Sequence, residues 1–213
     1  MRNRNFHFVK NVIFNQIKKV MTKKFLSFLL IAVSVLLLPS CSYNSLVSKD
    51  EASKKAWADV EAAYQRRSDL IGNLVETVKG EAKFEKETLT AVVEARSKAT
   101  SIQLSADDLT PENIQKFQAA QAQLSGALSR LLAVAESYPD LKTNAQFGEL
   151  MNELERTENR INIARRDYNQ SVQEYNIQVR SFPSNITAGL FKFKQREPFK
   201  ADPGAEKAPK VQF

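Results

Sequence analysis

The chain has 213 residues, 31 basic against 24 acidic, with one histidine and one cysteine. Seven of the basic residues and none of the acids lie in residues 1–40, so the formal charge of +7 falls to zero over 41–213 and no charge footprint for nucleic acid remains. His7 also precedes the cysteine, Cys41, which excludes from 41–213 histidine acid–base chemistry, Ser–His and Cys–His nucleophiles, Cys/His metal sites and any internal disulfide.

Residues 1–20, "MRNRNFHFVKNVIFNQIKKV", are basic and amphipathic and stand ahead of a complete export signal. They read either as an extension upstream of a true start at Met21 or as a long basic leader removed with the signal. Lys23 and Lys24 then precede an apolar run, Phe25 to Leu38, broken only by Ser27 and Ser34. About 14 such residues are short for a membrane span and suit the core of a signal peptide. "LPSC", Leu38 to Cys41, resembles a bacterial lipobox. That implies removal of 21–40, a diacylglyceryl group on the Cys41 thiol and a fatty acyl group such as palmitate on its new amino group. The other reading is an uncleaved transmembrane anchor with an incidental cysteine. Either way the protein is expected outside the cytoplasm on a membrane, facing the periplasm in a Gram-negative cell, with "SYNS" as a short spacer.

The rest is helical by pattern, and no strand alternation or Gly-rich phosphate loop is evident. Trp57, Val60, Tyr64, Ile71, Leu74 and Val78 recur in steps of three and four within a proline-free stretch from Ser45 to Thr100. Thr110 as N-cap, Pro111 and Glu112 begin a second helix carrying Ile114, Phe117, Leu124, Leu128 and Leu131. After the corner "SYPDLKTN", Thr143 with Gln146 reads as a capping box. Leu150, Leu154, Ile161, Ala164, Tyr168, Val172 and Tyr175 then mark a third helix that ends before Pro183. The helices come to about 50, 25 and 37 residues, and the first would reach roughly 75 Å unbroken. It must therefore project beyond the others or break near Gly72 to Gly80. The expected fold is all-α, an elongated antiparallel up-down-up bundle over 41–183. A short fourth helix and an aromatic–basic segment follow over 184–199, then a disordered tail over 200–213.

"YNSLV", "AWADVEAAYQRRSDLIGNLVETVKGEAKFEKETL", "VVEAR", "ESYPDLKTNAQFGELMNELERTENRINIARRDYNQSVQEYN" and "FP" together resemble the LemA family across nearly all of 43–183. The resemblance implies an all-helical bundle tethered to a membrane by its N-terminus, outside the cytoplasm, with no settled enzyme activity. Most relatives keep an N-terminal transmembrane helix where this chain has a lipobox.

Besides Cys41 as the lipidation site, two sets of residues draw attention. In step with Trp57, Tyr64 and Ile71, position 67 holds Arg67. On the third helix, Leu154 and Ile161 leave a gap at Thr157 or Glu158. Parallel first and third helices would bring Arg67 and Glu158 together as a partly buried ion pair that fixes register. The other reading lets the Arg67 guanidinium reach solvent along the groove. Tyr168-Asn169 and Tyr175-Asn176 stand one heptad apart, and Phe191 and Phe193 sit among lysines. These six are either core and packed tail or an interaction surface, with the aromatic–basic segment able to dip into a membrane interface. With no cofactor expected, the function reads as a non-enzymatic envelope lipoprotein, a scaffold or adaptor for other envelope proteins. The alternative is a small-molecule or peptide-binding bundle.

Overall fold

The computed structural model describes residues 2–80 and 84–200, with side chains described for Met21 and from Ser42 onward within those ranges. Six helices lie among the described residues: α1 Arg2–Lys79, α2 Lys86–Ser101, α3 Pro111–Ala135, α4 Pro139–Thr143, α5 Ala145–Arg180 and α6 Ser184–Leu190. There is no strand among them. Ser42 to Ser45, expected as a spacer, are part of α1. They advance about 6 Å as helix and not the roughly 14 Å of an extended linker.

The long first helix does break. α1 stops at Lys79, Gly80 turns back with its N–H on the Thr77 carbonyl, and α2 returns alongside α1. The return is fixed by side chains that reach the other leg. Arg96 Nε donates to the Ser68 carbonyl at 2.7 Å, and Trp57 Nε1 donates to the Leu104 carbonyl at 2.8 Å. Gly72 opens the slot for Arg96, because a Cβ there would stand 3.2 Å from the guanidinium carbon.

This extra leg changes the topology. α3 runs parallel to α1, with Phe117 against Trp57 and Ser125 against Arg67. α5 runs antiparallel to α1, since Lys49 pairs with Glu174 and Arg66 with Glu153, each at 2.5 Å. The three-helix up-down-up course, with parallel first and third helices, is thus corrected to up-down-up-down over α1, α2, α3 and α5. The helical stripe continues on both sides of Gly80, so periodicity alone carried no sign of the reversal.

The caps follow ordinary donor chemistry. Thr110 caps α3 by accepting from the Asn113 N–H at 3.2 Å. At α5 the cap is Asn144, accepting from the Gln146 and Phe147 N–H groups, and not Thr143. Pro139 starts the extra turn α4, and Thr143 spends its hydroxyl on the Asp140 carbonyl within it.

Two apolar clusters fill the bundle. The upper one gathers Ile71, Leu74, Val78, Phe84, Leu124, Leu131 and Leu154. The lower one gathers Trp57, Tyr64, Phe117, Ile161, Tyr168 and Phe199. Between them α1 contributes buried Arg67 and Ser68, α3 buried Gln121, and α5 buried Thr157. The gap in each stripe is therefore one polar layer crossing the molecule.

Candidate functional site

The polar layer holds Arg67, which is buried. Its Nη2 donates to Ser125 Oγ at 2.6 Å, and that hydroxyl donates to the Gln121 carbonyl at 2.9 Å. Its Nη1 lies 3.5 Å from Glu158 Oε2. Three helices thus meet at one guanidinium. The pair is lopsided, since the Arg67 side chain is 8% exposed and that of Glu158 50%. Losing Glu158 leaves a buried cation with Ser125 as its neutral partner, whereas losing Arg67 leaves a carboxylate that water accepts. Glu158→Leu is therefore expected to cost about 2–3 kcal/mol and Arg67→Met only about 1 kcal/mol. A double-mutant cycle on urea unfolding checks this. Strictly additive single effects would show that the two side chains do not interact.

The lower part of α5 is occupied by the chain's own C-terminal segment. Asn169 Nδ2 donates to the Phe199 carbonyl at 3.0 Å, and its Oδ1 accepts from the Phe199 N–H at 2.8 Å. Asn176 treats Arg196 the same way, at 2.8 and 2.9 Å. Seven helical residues advance about 10.5 Å, and three extended residues span about 10 Å. The heptad spacing of the asparagines therefore matches the three-residue spacing of Arg196 and Phe199, and residues 193–200 lie along α5 as a strap.

Two strap side chains lock it. Phe199 enters the lower core, stacked on Trp57 at 5.7 Å between ring centroids and edge-on to Tyr168 at 5.6 Å. Arg165 covers its other face at 5.1 Å. Arg196 donates through Nε and Nη2 to Asp50 Oδ1 at 3.0 and 2.9 Å, and through Nη1 to the Ala106 carbonyl. It also lies over the Tyr175 ring at 5.8 Å. Burial pulls the guanidinium toward losing its proton, but the hydrogen bond and charge of Asp50 more than offset this and leave it raised. The strap is thereby tied to α1, α5 and the α2–α3 connection at once. The Lys200 carbonyl accepts from Gln118 and Arg165, so the strap includes the first residue assigned to the tail. Residues 201–213 lie outside the described residues.

This placement corrects the reading of Tyr168, Asn169, Tyr175 and Asn176 as an interaction surface. Tyr168 and Tyr175 are 0% and 2% exposed, and both asparagines spend their amides on the strap. The Tyr168 hydroxyl donates to the Glu197 carbonyl at 3.0 Å. Burial pushes its phenol up to about 12 from the usual 10. The folded state thus keeps this proton where the unfolded chain releases it. Stability from the group is full below about pH 10 and is lost as pH rises through about 12, roughly 3 kcal/mol for a two-unit gap. Tyr168→Phe should therefore flatten the fall in urea stability between about pH 9 and 12. An unchanged alkaline slope would contradict the assignment.

Phe191, and Phe193 at the start of the strap, lie at the base of the bundle. Tyr43 of α1 sits 4.7 Å from the Phe191 ring and 6.0 Å from the Phe193 ring. Phe191 is 53% exposed. The chain reaches this position because Lys192 adopts a left-handed φ of 60° just after α6. The Phe193 N–H returns to the Ala188 carbonyl and the Lys192 N–H to that of Gly189, closing the helix end. Among the described residues no helix is long and apolar enough to cross a membrane. The side chains of the apolar run 25–38 and of Cys41 lie outside the described ones.

Asp50 and Arg196 were missed in the sequence, since nothing links residues so far apart. The usable signal was the pair of asparagines on the inward side of a helix, each needing backbone partners.

Comparison with known proteins adds identity to this geometry. The chain is 28% identical over 181 residues to Magnetosome protein MamQ 2 of Paramagnetospirillum magneticum, covering 77% of this chain and 66% of that protein. It is 26% identical over 201 residues to Magnetosome protein MamQ of Magnetospirillum gryphiswaldense, covering 84% and 74%. It is 26% identical over 145 residues to Protein LemA of Metamycoplasma hominis, covering 68% and 63%. The profile of the LemA family matches residues 56–213, from the start of the buried Trp57 stripe through the strap, and the chain belongs to that family.

Proposed function

We propose that this protein is a lipid-anchored, non-enzymatic component of the bacterial envelope, held to a membrane through Cys41, whose helical bundle serves as a scaffold or adaptor. The observation that carries the reading is continuity. The apolar run and the "LPSC" sequence lead into Tyr43, whose ring already packs on the base of the bundle. A lipid on Cys41 would therefore set the base beside the headgroups. Membership of the LemA family supports the same placement. The polar side chains of the strap seat are spent on holding the strap, which fits a structural part for them.

The adaptor role is tested by site-specific crosslinking from exposed positions of α5, such as Ile163 (48% exposed), in intact cells. One discrete envelope protein captured from Ile163, and not from the base, is the expected result. Labelling of lipid and of this chain alone would contradict it.

One observation favours a second reading, a peptide or small-molecule binder. An open groove of about 560 Å³ runs between α3 and the strap, lined by Ile114, Gln118, Ala119, Ala122 and Pro198. Filling it with Ala119→Trp would abolish such binding and leave the adaptor contacts on α5 unaffected.

A further inference from the structure

α6 is built inside out. The residues it turns toward α1 and α5 are small, with Ser184, Thr187 and Ala188 buried. Its large apolar side chains point away from the protein, Ile186 at 64% and Leu190 at 73% exposed. Phe182, four residues before Ile186, is 80% exposed. Ile186 and Leu190, four apart on α6, share one helix face, and Phe182 stands exposed in the turn just before the helix. Phe191 adjoins that face and contacts Tyr43, so it stands at the point where α1 arrives from the apolar run. A face of this kind is costly in water and marks a surface that something covers.

The charge around it identifies the cover. From Tyr175 to Arg196 there is no acidic residue, while Arg180, Lys192 and Lys194 are present and exposed. Residues 1–49 also lack acids. In contrast, the described acids nearest the base are engaged, Asp50 with Arg196 and Glu174 with Lys49. An apolar face rimmed by cations, with no anion to repel phosphate, has the composition of a segment lying in the headgroup–acyl boundary of an anionic bilayer.

We propose that the outer face of α6, with Phe182 and Phe191, is a membrane foot that inserts into the interface of an anionic phospholipid bilayer, the same bilayer that holds the N-terminal segment. The inference rests on the tethering proposed above and adds a second, non-covalent contact. The foot would fix the orientation of the bundle, standing its α1 axis up from the surface and keeping the far corner at Ser137 away from lipid.

The test uses the full chain reconstituted in vesicles of phosphatidylcholine and phosphatidylglycerol with brominated acyl chains. Ile186→Trp places a reporter on the foot and Ser137→Trp one at the far end, with the fluorescence of Trp57 in the wild type subtracted. Helical circular dichroism confirms that each variant is folded. At least twofold quenching of the Ile186→Trp signal with a blue-shifted emission, and no quenching of Ser137→Trp, is the expected result. Vesicles that carry the protein on flotation but leave the Ile186→Trp signal unquenched would overturn the foot and leave the tether standing. Equal quenching at both positions would overturn it too, because the bundle would then lie flat. Failure of the wild type to float with vesicles would overturn the tether and the foot together.

Discussion

Phe199→Ala is expected to lower the unfolding free energy by about 3–5 kcal/mol, the range for emptying a packed phenylalanine site. The ring is 4% exposed and contacts Trp57, Tyr168 and Arg165 from three sides. Without its ring the strap keeps the backbone bonds to Asn169 and Asn176 but has no apolar anchor. Trypsin should then cut after Arg196 much faster than in the wild type, before global unfolding. Trp57 emission should shift to the red, since its stacked partner is gone. A variant with a wild-type urea midpoint and an uncut strap would contradict the seat described here.

Asp50→Ala should cost about 3 kcal/mol, because it takes the carboxylate from a largely, though not fully, buried cation. The Arg196 and Asp50 side chains are 11% and 14% exposed, and the other carboxylate in reach, Asp107, is 78% exposed and 3.3 Å away. Water cannot easily replace Asp50 at such a site, whereas it can at the surface pairs Lys54–Glu51 and Lys79–Glu76. The penalty should persist in about 0.5 M salt, where exposed pairs are screened. Replacing both partners, Asp50→Leu with Arg196→Met, should recover much of the loss, since the desolvation cost of both charges disappears. Chemical unfolding of the singles and the double at two salt concentrations checks it. A double variant as unstable as the sum of the singles would show that the pair is not the source of the effect.

The amphipathic stripes were legible because packing imposes them. The spacing predicts Trp57, Val60, Ile71, Leu74, Leu131, Ile161 and Val172 as core, and all are buried. The interruption of that spacing at 67 and 157 was equally readable, since a polar residue in step with a stripe must still face inward. Arg67 and Glu158 come to 3.5 Å across antiparallel helices, where the sequence predicts the same pairing across parallel ones. Both arrangements put the middle of one helix beside the middle of the other.

The strap was not legible for a different reason. Its residues have no period of their own, and an extended segment borrows its hydrogen bonds from α5. Phe199 looked like one more member of an aromatic–basic tail until the Asn169 and Asn176 amides gave the segment a register. A glycine in a helix costs only about 1 kcal/mol, too little for the sequence to decide between a bend and a reversal at Gly80.

The proposed lipid anchor at Cys41 is open to intact-mass analysis of the protein extracted from membranes. The expected species begins at Cys41 and carries the added mass of a diacylglyceryl group and a fatty acyl chain. In Cys41→Ser that species should vanish, leaving the unprocessed precursor. A wild-type mature chain that retains Met21 or Met1 and bears no lipid would contradict the account.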